Sequence, residues 1–351
     1  MNYQFTDSYV KLYACCILVN GAKRSSICDI QRSEVHFVPS VMFEILTEHS
    51  DKLVKDIYHI AGKDNFEFID EYMDFLLEKE LAFLTDEPLL FPSLSLDFET
   101  PSIISNAIVE ISSQNVEHFD SIIKQLEHFN CKAVLLNFYN YISFEKLGKL
   151  IEYTNGSRLR DIQLILPYIT DDKEEVIKNL GAFKRLSHIT FHSSPHTIQE
   201  FVPDASIQIN FEEKTHLDSS CCGVIHKKYF SVNIETFTES QKHNTCLNRK
   251  ISIDVNGEIK NCPSMTKSYG NIRDTTLKEA IEKEGFKDMW FIHKDQIDVC
   301  EDCEFRHICT DCRAYIQDPN NIYSKSAKCS YDPYTATWGE ENPTNNPLYG
   351  K

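Results

Sequence analysis

The sequence predicts an α/β protein built from three parts and a short tail. The first part contains short apolar runs typical of strands, followed by three helical stretches. The second part alternates strands with helices, which is typical of a parallel sheet. The third part holds nine of the chain's thirteen cysteines, and seven of them, from Cys246 to Cys329, lie at spacings that suit metal ligation. We place these parts at residues 1–90, 93–216 and 217–335, with a flexible tail at residues 336–351.

The charge of the chain restricts its partners and its location. The 351 residues carry a formal net charge of −17, whereas nucleic-acid binding needs clustered Lys and Arg. The sequence contains no apolar run long enough for a membrane span and no cationic–apolar signal at its start. We therefore expect a cytoplasmic protein that binds neither nucleic acid nor membrane. In a reducing compartment its cysteines are expected to serve as ligands or catalysts rather than in disulfides.

The residue pattern of the first part predicts three strands and three helices. The apolar run Tyr9–Val19 ends at Asn20-Gly21, which is a strong signal for a two-residue hairpin. Further strands are expected at Ser26–Gln31 and Val35–Val38. The helices are expected at Pro39–His49, Asp51–Ala61 and Phe66–Glu80. The third helix carries an apolar stripe at helical spacing: Phe66, Ile69, Tyr72, Met73, Leu76 and Leu77.

This order resembles the winged-helix peptide-recognition module of enzymes that mature ribosomally made peptides. The resemblance implies that the leader of a precursor peptide adds as a strand to an open sheet edge and lies against the third helix. The candidate edge is Val35–Val38, and the candidate wall is Phe66–Leu77. A DNA-binding winged helix or a plain packing domain is the alternative. Acidic residues crowd the third helix and count against DNA: Asp64, Glu67, Asp70, Glu71, Asp74, Glu78 and Glu80.

The residue pattern of the second part predicts five strands and three helices. The strands are expected at Ala107–Ile111, Ala133–Phe138, Ile162–Leu166, Ile189–His192 and Ile207–Phe211. The helices are expected at Val116–Phe129, Ser143–Tyr153 and Lys173–Phe183. Continuous apolar strands favour a parallel sheet covered on both faces. Because a full eight-fold barrel takes roughly 250 residues, we predict a partial parallel β/α barrel.

Polar residues lie at the carboxyl ends of these strands, where parallel sheets usually bind ligands. They either line a pocket or simply face water. The residues are Asn137, Tyr139, Tyr168, His192, Asn210 and Glu212.

The cysteines of the third part form a regular pattern. It is Cys246-x10-Gly257-x4-Cys262, a long gap, Cys300-x2-Cys303-x5-Cys309-x2-Cys312, and then Cys329. Two C-x2-C steps with cysteines on both sides suit four-thiolate sites. Two such sites need eight ligands, and Cys221 or Cys222 is available as the eighth. From spacing alone, structural zinc and [4Fe–4S] clusters both fit.

The order of these residues resembles the SPASM domain, as do Gly270-Asn271-Ile272 and Leu277-Lys278-Glu279. That domain follows the barrel of many radical SAM enzymes and carries auxiliary [4Fe–4S] clusters. One departure is that two residues, rather than the family's usual three, separate Cys309 from Cys312. The resemblance implies two interleaved ligand sets. One set is Cys300, Cys303, Cys309 and Cys329, and the other is Cys246, Cys262 and Cys312 with Cys222, or its neighbour Cys221.

A radical SAM barrel would carry C-x3-C-x2-C after its first strand. Here that strand is followed by Ser112-Ser113-Gln114-Asn115. The remaining cysteines, Cys15, Cys16, Cys28 and Cys131, do not supply the motif. The sequence therefore predicts that this chain does not perform radical SAM chemistry.

A hairpin around Asn256-Gly257 is expected to set Cys246 and Cys262 at its two ends. Its strands are Lys250–Val255 and Glu258–Asn261. Three basic residues lie among the other ligands and are expected either to donate hydrogen bonds to cluster sulfurs or to be solvated. They are Arg306, His307 and Arg313.

Taken with Cys221-Cys222-Gly223 and Asn261-Cys262-Pro263-Ser264, the whole chain resembles the SPASM-domain peptide maturase of grasp-with-spasm systems. Their other components are a precursor peptide and an ATP-grasp ligase. The resemblance implies a maturation factor that binds the precursor leader and carries two [4Fe–4S] clusters. The alternatives are a stand-alone peptide-modifying enzyme with a pocket in the partial barrel, and a zinc-stabilised adaptor without a redox role.

Overall fold

A computed structural model describes residues 3–170, 172–203 and 205–339. Most of the predicted tail, from residue 340 onward, lies outside these described residues. The first part forms two small antiparallel sheets and three helices. Its strands are β1 (Tyr9–Leu12), β2 (Cys16–Val19), β3 (Ser25–Asp29), β4 (Glu34–Val38) and β5 (Ala82–Thr85). Its helices are α1 (Ser40–Glu48), α2 (Val54–Ala61) and α3 (Phe66–Glu78).

The apolar run Tyr9–Val19 is two strands, so the prediction of one strand is wrong. The chain turns between them, where the Cys16 N–H donates to the Tyr13 carbonyl at 2.8 Å. After this turn β2 joins the sheet β2-β3-β4, while β1 pairs with β5. Local apolarity predicts strand content, but a turn within an apolar run leaves no strong local signal.

Asn20-Gly21 is not a two-residue hairpin turn, because Val19 pairs with Ser26 and the loop between them is longer. Gly21 instead allows a close approach to the third part of the chain. A Cβ atom added there would lie 2.9 Å from the Cβ of Glu304. The neighbouring Ala22 N–H donates to the Asp302 carbonyl at 2.8 Å.

The first part, residues 1–90, is here called the first module. Its three helices pack on its strands as their apolar pattern predicts. Ile69, Met73 and Leu76 of α3 are buried in its core. Strand β4 pairs with β3 on one side, and no strand among the described residues pairs with its other side. The module therefore presents an open sheet edge.

The second part contributes most of an eight-stranded sheet, here called the main sheet. Its strands are β6 (Asn106–Ile111), β7 (Ala133–Phe138), β8 (Asp161–Pro167), β9 (Leu186–His192), β10 (Ile198–Val202), β11 (Ile207–Glu212), β12 (Lys250–Ile253) and β13 (Ile259–Lys260). The order is β10-β11-β9-β8-β7-β6-β12-β13, and every pair from β11 to β12 is parallel. The end strands β10 and β13 are antiparallel to their neighbours. The protein is therefore a mixed α/β structure with a mostly parallel sheet.

One face of the main sheet forms the largest core of the protein. Val109, Leu136 and Leu164 are fully buried there with apolar residues of α4 (Phe119–His128), α5 (Phe144–Glu152) and α6 (Lys173–Leu180). The alternate residues point to the other face, here called the inner face, which lines an open cavity. The expectation of a sheet covered on both faces is therefore wrong, because strands read as continuous apolar runs in fact alternate in burial.

The third part consists mainly of loops, with α7 (Ile234–Glu239), α8 (Leu277–Glu282), β14 (Tyr331–Asp332) and β15 (Thr337–Trp338). Its strands β12 and β13 extend the main sheet, and Ile251 lies beside Ala107 of β6. It also contacts the first module, since Arg24 Nε donates to the buried Glu304 carboxylate at 2.8 Å. The third part thus holds the other two together.

None of the helices within the described ranges combines the length and the apolarity needed to cross a membrane.

Two candidate thiolate centres and an adjoining cavity

The β12–β13 hairpin positions two of the predicted ligands at its ends. Ser252 pairs with Lys260 and Ile253 with Ile259, so the strands run antiparallel. Cys246 precedes β12 by a short loop, and Cys262 follows β13 almost at once. The two cysteines are sixteen positions apart in the sequence, and the hairpin brings both to its open end.

Four thiols gather at this place, which we call the first centre: Cys222, Cys246, Cys262 and Cys312. Burial is the main cause that raises the pKa of Cys262 to about 12, and the nearby Cys246 raises it further. The same two causes, burial and then the charge of Cys246, raise the pKa of Cys222 and of Cys312. Cys246 therefore lies close to the other three thiols.

The glycine after Cys222 has a direct role in this packing. Gly223 has a φ of +85°, and a Cβ atom added to it would lie 2.7 Å from the Sγ of Cys312. Only glycine allows the backbone both that conformation and that approach. The string Cys222-Gly223 thus brings one ligand segment against another.

Cys222 and Cys221 differ in their surroundings. Burial raises the pKa of Cys221, and the charges that act on it come from Lys214, Asp218, Lys328 and Glu212 rather than from other cysteines. Cys222 is an exposed residue, yet its thiol is shielded from water, and the charge of Cys246 raises the pKa of this thiol. The structure therefore turns Cys222, and not Cys221, toward the first centre.

The remaining four thiols line one small cavity, here called the second centre: Cys300, Cys303, Cys309 and Cys329. Phe305, Tyr331 and Trp338 form apolar walls of the same cavity. Burial raises the pKa of Cys309 to about 12, although the charge of Lys294 opposes this shift. Two further basic residues, Lys325 and Arg306, line the cavity beside Lys294. The second centre is therefore bounded by apolar and basic side chains.

Each centre contains a lysine that the sequence did not single out. Lys250 Nζ donates to Cys246 Sγ at 3.5 Å, and Lys294 Nζ lies 3.7 Å from Cys309 Sγ and 3.9 Å from Cys300 Sγ. Burial acts to lower the pKa of both lysines, but the charges of the nearby cysteines, together with the Asp311 carboxylate 3.6 Å from Lys294 Nζ, outweigh it and raise both values. Each ammonium group thus offsets part of the negative charge that four thiolates bring together.

The three basic residues expected to donate to sulfur bind elsewhere. Arg313 donates to Asp311 at 2.7 Å, and Arg306 donates to Asp295 at 2.7 Å. His307 Nδ1 lies 3.1 Å from the Ser240 hydroxyl. No hydrogen bond among the described residues joins any of the three to a cysteine thiol, although Arg306 lines the cavity of the second centre. These side chains instead stabilise the loops that carry the cysteines.

The separation of the sulfurs restricts what the centres can hold. A zinc ion with Zn–S bonds of about 2.3 Å holds its sulfurs roughly 3.8 Å apart in a tetrahedron. Within the described ranges, the only three donor atoms that lie within 4.8 Å of one another belong to Cys15, Cys16 and Asp29. Among the described residues, no three thiols of either centre lie that close to one another.

A cavity of about 720 Å³ lies on the inner face of the main sheet and reaches the first centre, where Cys222 and Cys262 form part of its wall. Three of the predicted strand-end residues, Asn137, Asn210 and Glu212, line it. The others do not line it. His192 is buried and stacks on His216 with ring centres 5.1 Å apart, and Tyr168 packs against the large core.

The loop after β6, where a radical SAM motif would lie, has a different structure. The Asn115 side chain is buried and donates to the Glu110 carbonyl at 2.7 Å and to the Asp254 carbonyl at 2.8 Å. This amide joins β6 to the turn that follows β12. The loop therefore supports the β12–β13 hairpin.

Comparison with known proteins identifies one family. Residues 245–304 match the SPASM family, described as an iron-sulfur cluster-binding domain. This match confirms the predicted resemblance and spans Cys246, Cys262, Cys300 and Cys303. No curated protein matches the sequence.

Among solved structures, the crystal structure of Streptococcus suis SuiB aligns with 92% of this chain and 98% of its own, with a TM-score of 0.37 and 11% sequence identity. A likeness of this degree has no bearing on function.

Proposed function

We propose that this chain is a maturation factor for a ribosomally made peptide and that it carries two [4Fe–4S] clusters. The first centre would hold one cluster and the second centre the other, each with four thiolates. The observation that carries the proposal is the SPASM match at residues 245–304, which hold four of the eight cysteines that gather as two separate groups. Such clusters supply one-electron transfer or structural crosslinking.

Two features of the centres favour clusters over zinc. No three thiols of either centre lie within 4.8 Å of one another among the described residues, which favours a group larger than a single tetrahedral ion. A lysine beside the thiols of each centre also suits a cluster, because donors and charges near the sulfurs tune its potential and stability. Lys294 is 4% exposed and has two sulfurs within 3.9 Å.

The first module is proposed to bind the precursor leader as a winged-helix-like domain. The open edge of β4 offers backbone groups to an added strand, and Phe37 of this strand is 43% exposed. His36 packs edge-on against Phe75 of α3, with ring centres 6.1 Å apart. The leader would thus run between the β4 edge and the wall of α3.

The other parts of the proposal rest on the resemblance and on the sequence. An ATP-grasp ligase would act on the peptide that this chain presents, forming the ester or amide bonds. The main sheet would be a partial barrel without radical SAM chemistry, because the loop after β6 lacks the three cysteines. A net charge of −17 disfavours nucleic acid and anionic membranes as partners. The chain is proposed to act in the cytoplasm.

Metal analysis tests the cluster proposal. Protein purified anaerobically should contain about eight iron and eight sulfide per chain, as two four-iron clusters require. A content of about two zinc without sulfide would overturn the clusters and leave a zinc-stabilised adaptor. Zinc, iron and acid-labile sulfide should be measured on the same preparation.

Replacement of Cys222 and Cys221, one at a time, tests the ligand set of the first centre. Cys222→Ala should lose about half of the iron and sulfide, because one cluster of two loses a ligand. Cys221→Ala is the matched control and should keep full content. Equal loss in both variants, or loss in Cys221→Ala alone, would contradict the assignment of Cys222.

Leader binding is tested on the full chain with peptides encoded beside it. Phe37→Ser should weaken binding by roughly tenfold or more if Phe37 is an anchor of the leader. Phe201→Ser is the matched control, because Phe201 is 61% exposed on β10, an edge strand of the main sheet. A chain lacking residues 1–90 should not bind the leader, and equal binding would refute this role of the module.

A second candidate is a peptide-modifying enzyme that acts alone. The cavity on the inner face favours it, because this space adjoins the first centre and has room for part of a peptide. Incubation of precursor with this chain, a reductant and no ligase distinguishes the two candidates. A change in the peptide's mass or connectivity would support the enzyme, whereas an unchanged peptide would support the maturation factor.

A further inference from the structure

We propose that the cavity on the inner face binds a primary ammonium group between Glu110 and Asn137, with the aliphatic chain of the ligand lying along the sheet. This inference rests on the proposed function only in taking a peptide as the natural source of that group. The site lies at the carboxyl ends of β6 and β7. Neither thiolate centre contributes an atom to it.

A short hydrogen-bond relay fixes the orientation of the Asn137 amide. Tyr139 Oη donates to Glu110 Oε1 at 2.5 Å, so the same hydroxyl must accept its other bond. Asn137 Nδ2 supplies that bond at 2.8 Å. The amide nitrogen therefore faces Tyr139, and the amide oxygen Oδ1 is left on the other side.

Among the described residues that oxygen has no hydrogen-bond partner, although Asn137 is only 8% exposed and lines the cavity. Leaving a buried acceptor without a donor destabilises a protein. Because the relay holds the amide in place, Asn137 cannot rotate to satisfy it. A ligand that brings a hydrogen-bond donor into the cavity would remove this cost.

Glu110 adds the charge that selects among donors. It is 3% exposed, and its oxygens accept from neutral groups only, the Tyr139 hydroxyl and the Val255 N–H at 3.2 Å. Lys260, the basic side chain whose charge acts on it, forms an ion pair with Asp254 at 2.8 Å instead. No ion pair to Glu110 forms within the described part of the chain. A buried carboxylate of this kind favours a cationic ligand.

The sheet register places the two acceptors side by side. Glu110 and Asn137 are direct neighbours on parallel strands, which lie about 4.8 Å apart. An ammonium group has three donors and no acceptor, so it can serve both oxygens at once.

The same face of the sheet also fits an aliphatic stem. Ile108 and Leu135 precede the two acceptors by two positions on their strands and line the same cavity. A lysine side chain has this composition, with four methylene groups that end in an ammonium group. A free amino terminus is the other source of a primary ammonium, but it lacks that stem.

Calorimetric titration of the full-length, cluster-loaded protein tests the site with small probes. Nα-acetyl-lysine N-methylamide should bind saturably, and the norleucine analogue, which lacks the ammonium group, should not. Alanine N-methylamide carries its ammonium at the α position instead. If the alanine probe bound and the lysine probe did not, the ligand would be a free amino terminus. The ammonium site would then stand, and the proposed contact with an aliphatic stem would be wrong.

Two variants and a matched control locate the binding. Glu110→Gln keeps the shape and removes the charge, and it should weaken lysine binding at least tenfold. Asn137→Leu should weaken it similarly. Asn210→Leu is the control, because Asn210 lines the same cavity from β11 and should leave binding unchanged.

Equal binding of the lysine and norleucine probes would overturn the proposal. So would undiminished lysine binding by Glu110→Gln whose iron content matches the parent protein. Leader affinity and iron content, measured on the same preparations, separate failure of this site from failure of the proposed function.

Discussion

At the scale of single residues, Gly223 offers a direct test of the first centre. Gly223 and Gly156 have nearly the same left-handed backbone, with φ of +85° and +82°. A Cβ at Gly223 would meet Cys312 Sγ at 2.7 Å, whereas a Cβ at Gly156 would meet nothing within 4 Å. Gly223→Ala and Gly156→Ala should therefore share a backbone cost of about 1–2 kcal/mol. Only Gly223→Ala should lose iron.

The measurement is iron content after anaerobic purification, together with the free energy of unfolding in urea. If Gly156→Ala also lost iron, the loss would follow from general destabilisation rather than from the displaced thiol. If neither variant lost iron, Cys312 would not be a ligand held against Gly223.

Cys131 gives a pH-dependent prediction that is independent of both centres. This thiol is fully buried in the main core, and burial raises its pKa from 9.0 to about 12. Between these values the unfolded chain loses the proton while the folded chain keeps it. The free energy of unfolding should therefore fall as the pH rises, by about 1.4 kcal/mol per pH unit from this group.

Cys131→Ala removes that contribution and should show a shallower decline between pH 9 and the highest pH at which the protein still refolds. Urea titrations of the two proteins across this window give the comparison. Parallel stability curves would show that Cys131 titrates alike in the folded and unfolded chains.

The residue scale also shows what the sequence could and could not predict. The cysteine spacing identifies the ligand candidates, because thiols at such intervals have few other uses in a reducing compartment. Lys250 and Lys294 gave no such signal. Lysines are common in surface strands and loops, and only the fold reveals that these two reach the thiols.

At the scale of elements, the loop between β2 and β3 joins the first module to the third part of the chain. A Cβ at Gly21 would lie 2.3 Å from the Arg24 carbonyl oxygen and 2.9 Å from Glu304 Cβ. Gly21→Ala should therefore shift this loop and cost about 1–3 kcal/mol of stability. Arg24 should at the same time lose its bond to Glu304, which is 2.8 Å long.

Gly148→Ala is the control for this loop. Gly148 lies within α5, and an added Cβ there would make only ordinary contacts with Phe183, at 3.9 Å and beyond. Gly148→Ala should raise the free energy of unfolding by up to about 1 kcal/mol, since alanine favours a helix more than glycine does. Thermal unfolding of both variants is the measurement. A neutral Gly21→Ala would mean that the loop is not held against Glu304.

The elements that the sequence predicted best have strong local patterns. Strand β7 has the predicted bounds, and α3 buries Ile69, Met73 and Leu76 of the predicted stripe. The parallel pairing of β12 with β6 was not predicted. The paired residues Ile108 and Ser252 are far apart in the sequence, and periodicity carries no information across such a separation. The same reason explains why β1 was not separated from β2, since β1 pairs with the distant β5.

At the scale of the whole molecule, the interleaved ligands tie distant segments together. Cys312 belongs to the first centre, although it follows three ligands of the second centre in the chain. Each centre therefore closes long loops, which stabilises the folded state by restricting the unfolded chain. The third part has little regular structure of its own, so metal binding should contribute much of its folding free energy.

Removal of the metal should consequently loosen the third part and leave the main sheet folded. After iron is chelated under anaerobic reducing conditions, amide hydrogen exchange should accelerate at residues 217–335. The loop of Gly21 should also exchange faster, because Ala22 N–H bonds to Asp302 there. Strands β7 and β8 should stay protected, since Val134, Leu136 and Leu164 belong to an apolar core that contains no thiolate ligand.

Cys222→Ala refines this experiment by removing one centre at a time. Exchange in that variant should rise around the first centre and stay slow around Cys300–Cys309, because the second centre keeps all four of its thiols. Acceleration across the entire chain after chelation would show instead that the protein unfolds as one cooperative unit. The clusters would then stabilise the whole fold rather than its third part, and the first module could not bind a leader without them.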